Sequence, residues 1–278
     1  MTTATLLDHI GICTRDPEAL WATYTALGFT LSPVARQSGG KPPVMLGTGN
    51  RCAMLRRGYV ELLGIIDPEL PDNGLGRFLD RYTGQHIIAF AMEDAEANLE
   101  RLRAAGLEIP GIAWLERPVD APDGPRARFA RLPFPDAPEG RLQLIRHLTP
   151  ELVWQPRWMD HANHAVALEA TILVSDRPAE SAARLSRLCG LPLEPDPAGG
   201  FALALPDGGR VRMLTPDALP AVLPGVAAPT LPFLAGYVLR TDDGNAAVRS
   251  LGLPVVPVPG GLMVPPAHAG GSALVFAG

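Results

Sequence analysis

The sequence predicts an α+β fold of four βαβββ modules that pair into two domains. Three observations support this prediction. Thirty prolines and 29 glycines are spread along the 278 residues, which favours many short elements joined by tight turns over a bundle of long helices. One pattern, an apolar run, an aspartate, an amphipathic helix and a glycine, occurs four times. Each copy is followed by two or three further strand-like runs.

The first copy is "HIGICTRDPEALWATYTALGF". Asp16 is expected to cap the helix, because its side-chain oxygen can accept a hydrogen bond from a free N–H of the first turn. Pro17 suits that turn, and Gly28 suits the position after the helix, where a positive φ is common. Leu20 and Tyr24 fall on one face of this helix, which predicts that the face is buried.

The other copies repeat these positions. The capping aspartate and closing glycine are Asp94 and Gly106 in the second copy, Asp176 and Gly190 in the third, and Asp242 and Gly252 in the fourth. The strands predicted after the helices are Phe29–Val34, Arg51–Arg56 and Tyr59–Ile65; Ile109–Leu115, Ala127–Leu132 and Leu142–His147; Phe201–Leu205 and Val211–Leu214; and Pro254–Val258, Gly261–Val264 and Ala273–Phe276. A lone βαβββ sheet has a face that it cannot bury, so the modules are expected to pair.

The segment "HLTPELVWQPRWMDHAN" interrupts the pattern between the second and third modules. Its prolines and tryptophans predict a linker that lies on the surface between domains. We therefore expect an N-terminal domain over residues 1–148, a linker over residues 149–163 and a C-terminal domain over residues 164–278.

Composition and charge argue against several classes of protein. The net charge is only -5 and no basic block is present, so a nucleic-acid partner is not expected. No apolar run reaches the roughly 18 residues of a membrane helix, and the N-terminal residues lack the features of an export signal. The three cysteines form no CxxC pair, which predicts a reducing compartment. We expect a cytoplasmic protein that binds a small molecule; its oligomeric state is left open.

Two histidines hold matching places in the repeat. His9 opens an apolar run in "DHIGICTRD", and His86 opens one in "GQHIIAFAMED". If the two modules pair, these residues are expected to meet in one site. Two imidazoles next to a carboxylate would then favour a metal-binding site.

Three segments resemble the vicinal oxygen chelate superfamily, which includes glyoxalase I, extradiol dioxygenases and bleomycin-resistance proteins. They are "LDHIGICTRDPEALWATYTALGF", "YVELLGIIDP" and "GQHIIAFAMED". The resemblance extends from about Leu6 to Phe276 and is strongest to two-domain glyoxalase-like proteins. It implies that two modules wrap into an open sheet around a cavity, where the first and last strands of each module hold a divalent metal.

Carried over position by position, the resemblance implies a set of metal ligands. They are His9 and Glu61 of the first module and His86 and Gln143 of the second. The family usually has a glutamate at the last of these positions, so Gln143 is a departure. The matching positions of the C-terminal modules hold Glu169, Arg212, Leu234 and about Leu274, so that domain is expected to be a metal-free copy.

These residue types suit Fe, Ni, Zn or Mn, and the choice stays open. Two histidines and one carboxylate fit non-haem Fe(II), whereas Zn or Ni with waters and Gln143 is equally allowed. Glu61 is the predicted catalytic base, because the amide of Gln143 is no base near neutral pH. This difference argues against glyoxalase I activity itself, in which a metal-bound glutamate moves the proton.

Strand alternation predicts the other residues of the cavity. Tyr59 shares the face of Glu61, and Phe90 and Met92 share that of His86. Arg15 and Arg141 are predicted to anchor a carboxylate or enolate oxygen of the substrate.

Three functions are compatible with the sequence. The first is a metal-dependent lyase, isomerase or dioxygenase acting on a small, largely apolar substrate with adjacent oxygens. The alternative is a metal-free protein of the bleomycin-resistance type that binds or sequesters a small molecule. The third is a scaffold or regulator without a small-molecule site, which the absence of an N-terminal cavity would favour.

Overall fold

The computed structural model describes residues 3–39, 44–120, 123–134 and 137–278. The first two modules comprise β1 (Leu7–Thr14), α1 (Pro17–Ala26), β2 (Ala35–Gly39), β3 (Val44–Met54) and β4 (Tyr59–Ile65), then the short helix α2 (Gly76–Leu79), β5 (Gly84–Ala91), α3 (Ala95–Ala104), β6 (Ala113–Pro118), β7 (Arg126–Phe134) and β8 (Arg141–His147). The last two comprise β9 (Ala165–Val174), α4 (Pro178–Cys189), β10 (Leu193–Pro195), β11 (Phe201–Ala204) and β12 (Arg210–Leu214), then α5 (Leu219–Val222), β13 (Phe233–Thr241), α6 (Ala246–Ser250), β14 (Val256–Val258), β15 (Gly261–Val264) and β16 (Ala273–Ala277). The predicted α+β fold of four βαβββ modules is confirmed.

The four modules share one strand pairing. The first strand of each module lies parallel to its last strand, in the pairs β1–β4, β5–β8, β9–β12 and β13–β16. Antiparallel contacts between β1 and β5 and between β9 and β13 join the modules two by two. Leu234 of β13 lies opposite Gln85 of β5 and connects the two halves into one sheet, and an isolated bridge between Arg57 and Ala167 also joins them. The domain boundaries at residues 148 and 164 stay a prediction.

The helix signals are correct in the first half of the chain and partly wrong in the second. Asp16 and Asp94 each accept a hydrogen bond from the backbone three residues on, at 3.1 and 2.9 Å. Asp176 does not cap α4, whose N-cap residue is Arg177. Asp242 instead forms ion pairs at 3.0 Å with Arg56 and His164.

Two predicted strands are misplaced. The run Phe29–Val34 is not a strand and β2 begins only after it, at Ala35, whereas β6 starts at Ala113 and not Ile109. Phe29 and Ile109 are 3% and 4% exposed and belong to the main core. Their apolar side chains are thus buried in extended loop after the helix and not in a strand, and a hydrophobic pattern alone does not separate these two cases.

The second half of the chain has a buried apolar cluster against its part of the sheet. Leu219 of α5 and Leu223 and Val226 after it pack in one buried cluster with Ile172 and Phe233 of the sheet. Glu169 and Arg212, which hold the places equivalent to the ligand positions of the first half, form ion pairs with Arg240 and Asp196. No described helix is both long and apolar enough to cross a membrane.

Candidate functional site

The N-terminal half contains a cavity of about 440 Å³. His9 of β1, Glu61 of β4 and Gln143 of β8 line it, and Tyr59 and Arg141 lie in the same lining. Residues from three strands and both modules thus face one space, which is the arrangement that the superfamily resemblance implies.

A β-bulge sets the position of His9. Leu7 lies opposite Phe90 and His9 lies opposite Ala89, so Asp8 is an extra residue on β1. A bulge re-aims side chains locally, and here it brings the Asp8 carboxylate 2.6 Å from Nδ1 of the His9 ring. The ring of His9 also stacks on Tyr59, with centroids 4.4 Å apart. Both contacts fix the imidazole with Nε2 directed toward the cavity.

Asp8 also joins His9 to a second histidine. Its carboxylate is 2% exposed and lies 3.2 Å from Nε2 of His147. Burial acts to raise the pKa of Asp8, but the contacts with His147 and His9 outweigh it and hold that pKa well below its usual value. The carboxylate therefore stays ionised behind His9, as do the carboxylates that accept a hydrogen bond from the metal-binding histidine in many metal sites.

Glu61 and Gln143 differ in whether their side-chain oxygens have hydrogen-bond partners. Nδ2 of Asn50 on β3 donates a hydrogen bond to Oε1 of Glu61, which holds that carboxylate in place. Nε2 of Gln143 lies 3.5 Å from Nε2 of His9. Oε1 of Gln143 is buried without a partner among the described residues. An unpaired buried acceptor is costly, so this oxygen is available to a ligand.

His86 does not line this cavity. The prediction that His9 and His86 meet in one site is therefore wrong. Gly11 lies opposite Ile87 and Ile12 lies opposite Gln85, so His86 is the extra residue of a second bulge, on β5. Its Nε2 donates to the carbonyl oxygen of Tyr82 at 2.8 Å, and its ring stacks on the Tyr82 ring at 4.0 Å. Burial above all lowers the pKa of His86, to about 4, so the ring is neutral at pH 7.

Ile87 takes the place that the prediction gave to His86. It lines the cavity, and it packs over Gly11, where an added Cβ would lie 2.7 Å from Cδ1 of Ile87. A spacing in the sequence could have shown this. His9 precedes the capping residue Asp16 by seven residues and Ile87 precedes Asp94 by seven, whereas His86 precedes it by eight.

The predicted register of β5 is wrong by one residue, and two predicted substrate contacts are therefore wrong as well. Phe90 and Met92 are 0% and 3% exposed and belong to the main core and not to the cavity. Ala89 pairs with Gln143 instead, on the cavity side of β5. Arg15 is also outside the cavity. It is bound at the surface to Asp80 at 2.7 Å, because it lies beyond the end of β1.

No local pattern in the sequence predicts three further arginines of the cavity. They are Arg36, Arg117 and Arg131. Arg131 faces inward because β7 pairs it with Ile145 of β8, two residues after Gln143. This register depends on tertiary pairing, which a single sequence does not state.

Cys52 also lines the cavity, but it is a poor candidate for a nucleophile. Burial is the main cause that raises its pKa, to about 12, and the nearby Glu61 adds to the effect. The thiolate, and not the thiol, is the reactive form. Cys52 is therefore a packing residue at neutral pH.

The donors of the cavity fit a divalent metal ion, although the set is sparse. No group of three or more His, Cys, Asp and Glu side chains is placed to hold an ion within the described ranges. His9, Glu61 and Gln143 supply one imidazole, one carboxylate and one amide oxygen. Three protein donors with open positions are common in catalytic sites, and the unpaired Oε1 of Gln143 and the carboxylate behind His9 both suit this role.

Comparison with known proteins agrees with the fold. The sequence matches the glyoxalase-like domain family over residues 7–189. No curated protein sequence matches. A hypothetical protein from Staphylococcus aureus has a similar structure, with a TM-score of 0.67, 12% identity and coverage of 97% of this chain and 98% of that chain.

Two similar structures belong to proteins that are named for an activity. A variant of 4-hydroxymandelate synthase from Streptomyces coelicolor gives a TM-score of 0.58 at 13% identity, covering 93% of this chain and 78% of that chain. The Mn(II)-bound glyoxalase from Novosphingobium aromaticivorans gives 0.54 at 14% identity, covering 99% and 82%. Identities this low show the fold alone. The family match spans more than half of the sequence, and the chain therefore belongs to the glyoxalase-like domain family, within the vicinal oxygen chelate superfamily.

Proposed function

We propose that this protein is a metal-dependent enzyme of the vicinal oxygen chelate type, acting on a small substrate with adjacent oxygens. Proton-transfer chemistry, in an isomerase or lyase step, is favoured over oxygenation. The non-haem iron set of two histidines and one carboxylate would need His86, which lies at Tyr82 and outside the cavity.

One observation carries this proposal. His9, held from behind by Asp8, shares a cavity with Glu61 and with the unpaired amide oxygen of Gln143. A divalent ion bound there would act as a Lewis acid on a substrate oxygen. The names of two proteins with similar folds, a Mn(II)-bound glyoxalase and a 4-hydroxymandelate synthase, support chemistry of this class.

The protein's own residues have separate roles in this proposal. Glu61 accepts the proton, because its carboxylate lines the cavity with His9 and Gln143, whereas the amide of Gln143 cannot accept a proton near neutral pH. Asn50 keeps one carboxylate oxygen of Glu61 in place and leaves the other for the substrate. Arg141, held by the carbonyl of Asn73 at 2.8 Å, faces negative charge that develops on substrate oxygens.

Metal analysis of matched histidine variants tests the proposal. After reconstitution with Mn, Zn, Ni or Fe(II), the wild-type protein is expected to retain about one equivalent of one of these metals. His9→Ala should retain less than about 0.2 equivalents, because it removes the one imidazole donor. His86→Gln is the control, since His86 is equally buried but binds Tyr82. Equal metal content in the two variants would contradict the assigned site.

A second candidate function is metal-free binding of a small molecule. The observation that favours it is Ile87, an apolar side chain where the superfamily pattern would place a fourth donor. The same metal analysis separates the two candidates. Less than about 0.2 equivalents in the wild-type protein, together with tight binding of a small molecule, would favour the binding protein.

A further inference from the structure

A second cavity, of about 570 Å³, adjoins the one that holds His9 and Glu61. We call these the outer and the inner cavity. Ala35, Ser38, Glu116 and Arg117 line both, so the cavities meet between β2 and β6. The outer cavity continues from there to the linker turns Pro150–Leu152 and Pro156–Trp158. No role in the proposed proton transfer requires this outer space.

Much of the outer cavity is apolar. Its apolar lining includes Met45, Met54, Val119, Leu152, Val153 and Trp158. Two of its charged lining residues, Glu116 and Arg126, form an ion pair with each other at 2.7 Å. A space of this kind suits a hydrocarbon or aromatic chain.

The inner cavity, in contrast, holds positive charge without an ionic partner. Arg131 and Arg141 both line it, and neither has a carboxylate within salt-bridge distance among the described residues. Nε of Arg131 is buried and has no hydrogen-bond partner among the described residues. The carboxylate of Glu61 is already held by Asn50. Half-buried guanidinium groups without an ionic partner favour an anionic ligand that supplies further acceptors.

Electrostatics supports the proximity of these groups. Burial, and next the charge of Arg141, lower the pKa of Arg131, whereas the charge of Glu61 raises it. Arg131 thus interacts electrostatically with both Arg141 and Glu61, which line the same inner cavity. A carboxylate bound between the two arginines would lie in the same cavity as the donors His9 and Gln143.

We propose that the inner and outer cavities form one elongated site for an amphipathic carboxylate, with its carboxylate on Arg131 and Arg141 and its apolar chain in the outer cavity. This inference deepens the proposed function and rests on it for the chemistry. The binding itself requires only the two arginines and the apolar lining.

Binding of a chain-length series to the full-length, metal-free protein tests the proposal. The probes are unbranched monocarboxylates of four to twelve carbons and the matching primary amides, measured by calorimetry. The Kd of the acids is expected to fall about three- to fourfold for each added CH₂ until the outer cavity is filled. Each long acid should bind at least roughly tenfold tighter than its amide, because charge-assisted hydrogen bonds are stronger.

Variants separate the head group from the chain. Arg131→Gln and Arg141→Gln should weaken the acids by about tenfold or more and leave the amides unchanged. Arg15→Gln is the matched control, because Arg15 is paired with Asp80 at the surface. Leu152→Asp should abolish the gain from long chains and leave butyrate binding unchanged. Thermal unfolding of each variant verifies that it is folded, and Met45→Asp, at a half-exposed position, repeats the outer-cavity test.

The outcomes distinguish this inference from the proposed function. Three results would overturn the inference: equal affinity for acids and amides, an affinity that does not depend on chain length, or a loss of acid affinity in Arg15→Gln alone. His9→Ala should bind the long acids as the wild type does. If it does, and the wild-type protein retains no metal, the inference stands and the proposed function fails. If the protein turns over short neutral dicarbonyls but does not bind the long acids, the proposed function stands and the inference fails.

Discussion

Replacing His86 with glutamine is expected to make the stability of the protein less dependent on pH. His86 is fully buried against the Tyr82 ring, and its Nδ1 has no partner among the described residues. Glutamine keeps a side-chain N–H that can donate to the Tyr82 carbonyl, but it cannot be protonated. The substitution therefore removes one titration while it keeps the hydrogen bond that the ring makes.

The size of the effect follows from the pKa of His86. Burial lowers that pKa from 6.5 to about 4, the hydrogen bond to Tyr82 opposes the change, and the charge of Arg81 adds to it. Between these pH values the unfolded chain binds a proton that the folded chain does not bind. The free energy of unfolding therefore falls as the pH falls from 6.5 to 4, by about 3 kcal/mol in total.

Urea unfolding followed by circular dichroism measures this effect. Curves for the wild-type protein and His86→Gln at pH 7, 6, 5 and 4 give the difference in unfolding free energy at each pH. That difference is expected to change by about 3 kcal/mol in favour of the variant between pH 7 and pH 4. His268→Gln, at an exposed histidine, is the control and should follow the wild type. A difference that is constant with pH would refute the placement of His86 in a dry environment.

Three further substitutions test other parts of the structure. Asp8→Asn should weaken metal binding by roughly 10- to 100-fold in a competition titration, because it removes the carboxylate behind His9; unchanged affinity would contradict that role. Ile87→His should strengthen metal binding by at least about tenfold, since it adds an imidazole at the fourth position; no gain would mean that Ile87 does not face the donors. Leu223→Ala should lower the free energy of unfolding by about 2–5 kcal/mol in urea, because Leu223 is fully buried in the second half. A change below about 1 kcal/mol would show that Leu223 is not packed in this buried cluster.

The repeating fold could be predicted because its signals are local. Asp16 and Asp94 cap helices through contacts three residues away, and Gly28 and Gly106 follow those helices with φ of 88° and 75°. These interactions depend only on neighbouring residues. The hydrophobic pattern does not locate where a strand begins, because an apolar residue such as Phe29 is buried whether or not its backbone joins the sheet.

The site was predicted only in part because it depends on the register between strands. The repeat points to His9 and the superfamily resemblance points to Glu61, but the bulge at His86 shifts the rest of β5 by one residue. A shift of one residue moves every side chain to the opposite face of a strand. Arg131 was missed for a related reason, since only its pairing with Ile145 turns it inward.

Anomalous diffraction from a crystal soaked in Mn²⁺ or Zn²⁺ tests the central claim most directly. We predict one strong peak within bonding distance of Nε2 of His9 and close to both Glu61 and Gln143, with no peak at His86. A peak at His86, or full occupancy at a place that none of the first three residues can reach, would contradict the proposed metal centre.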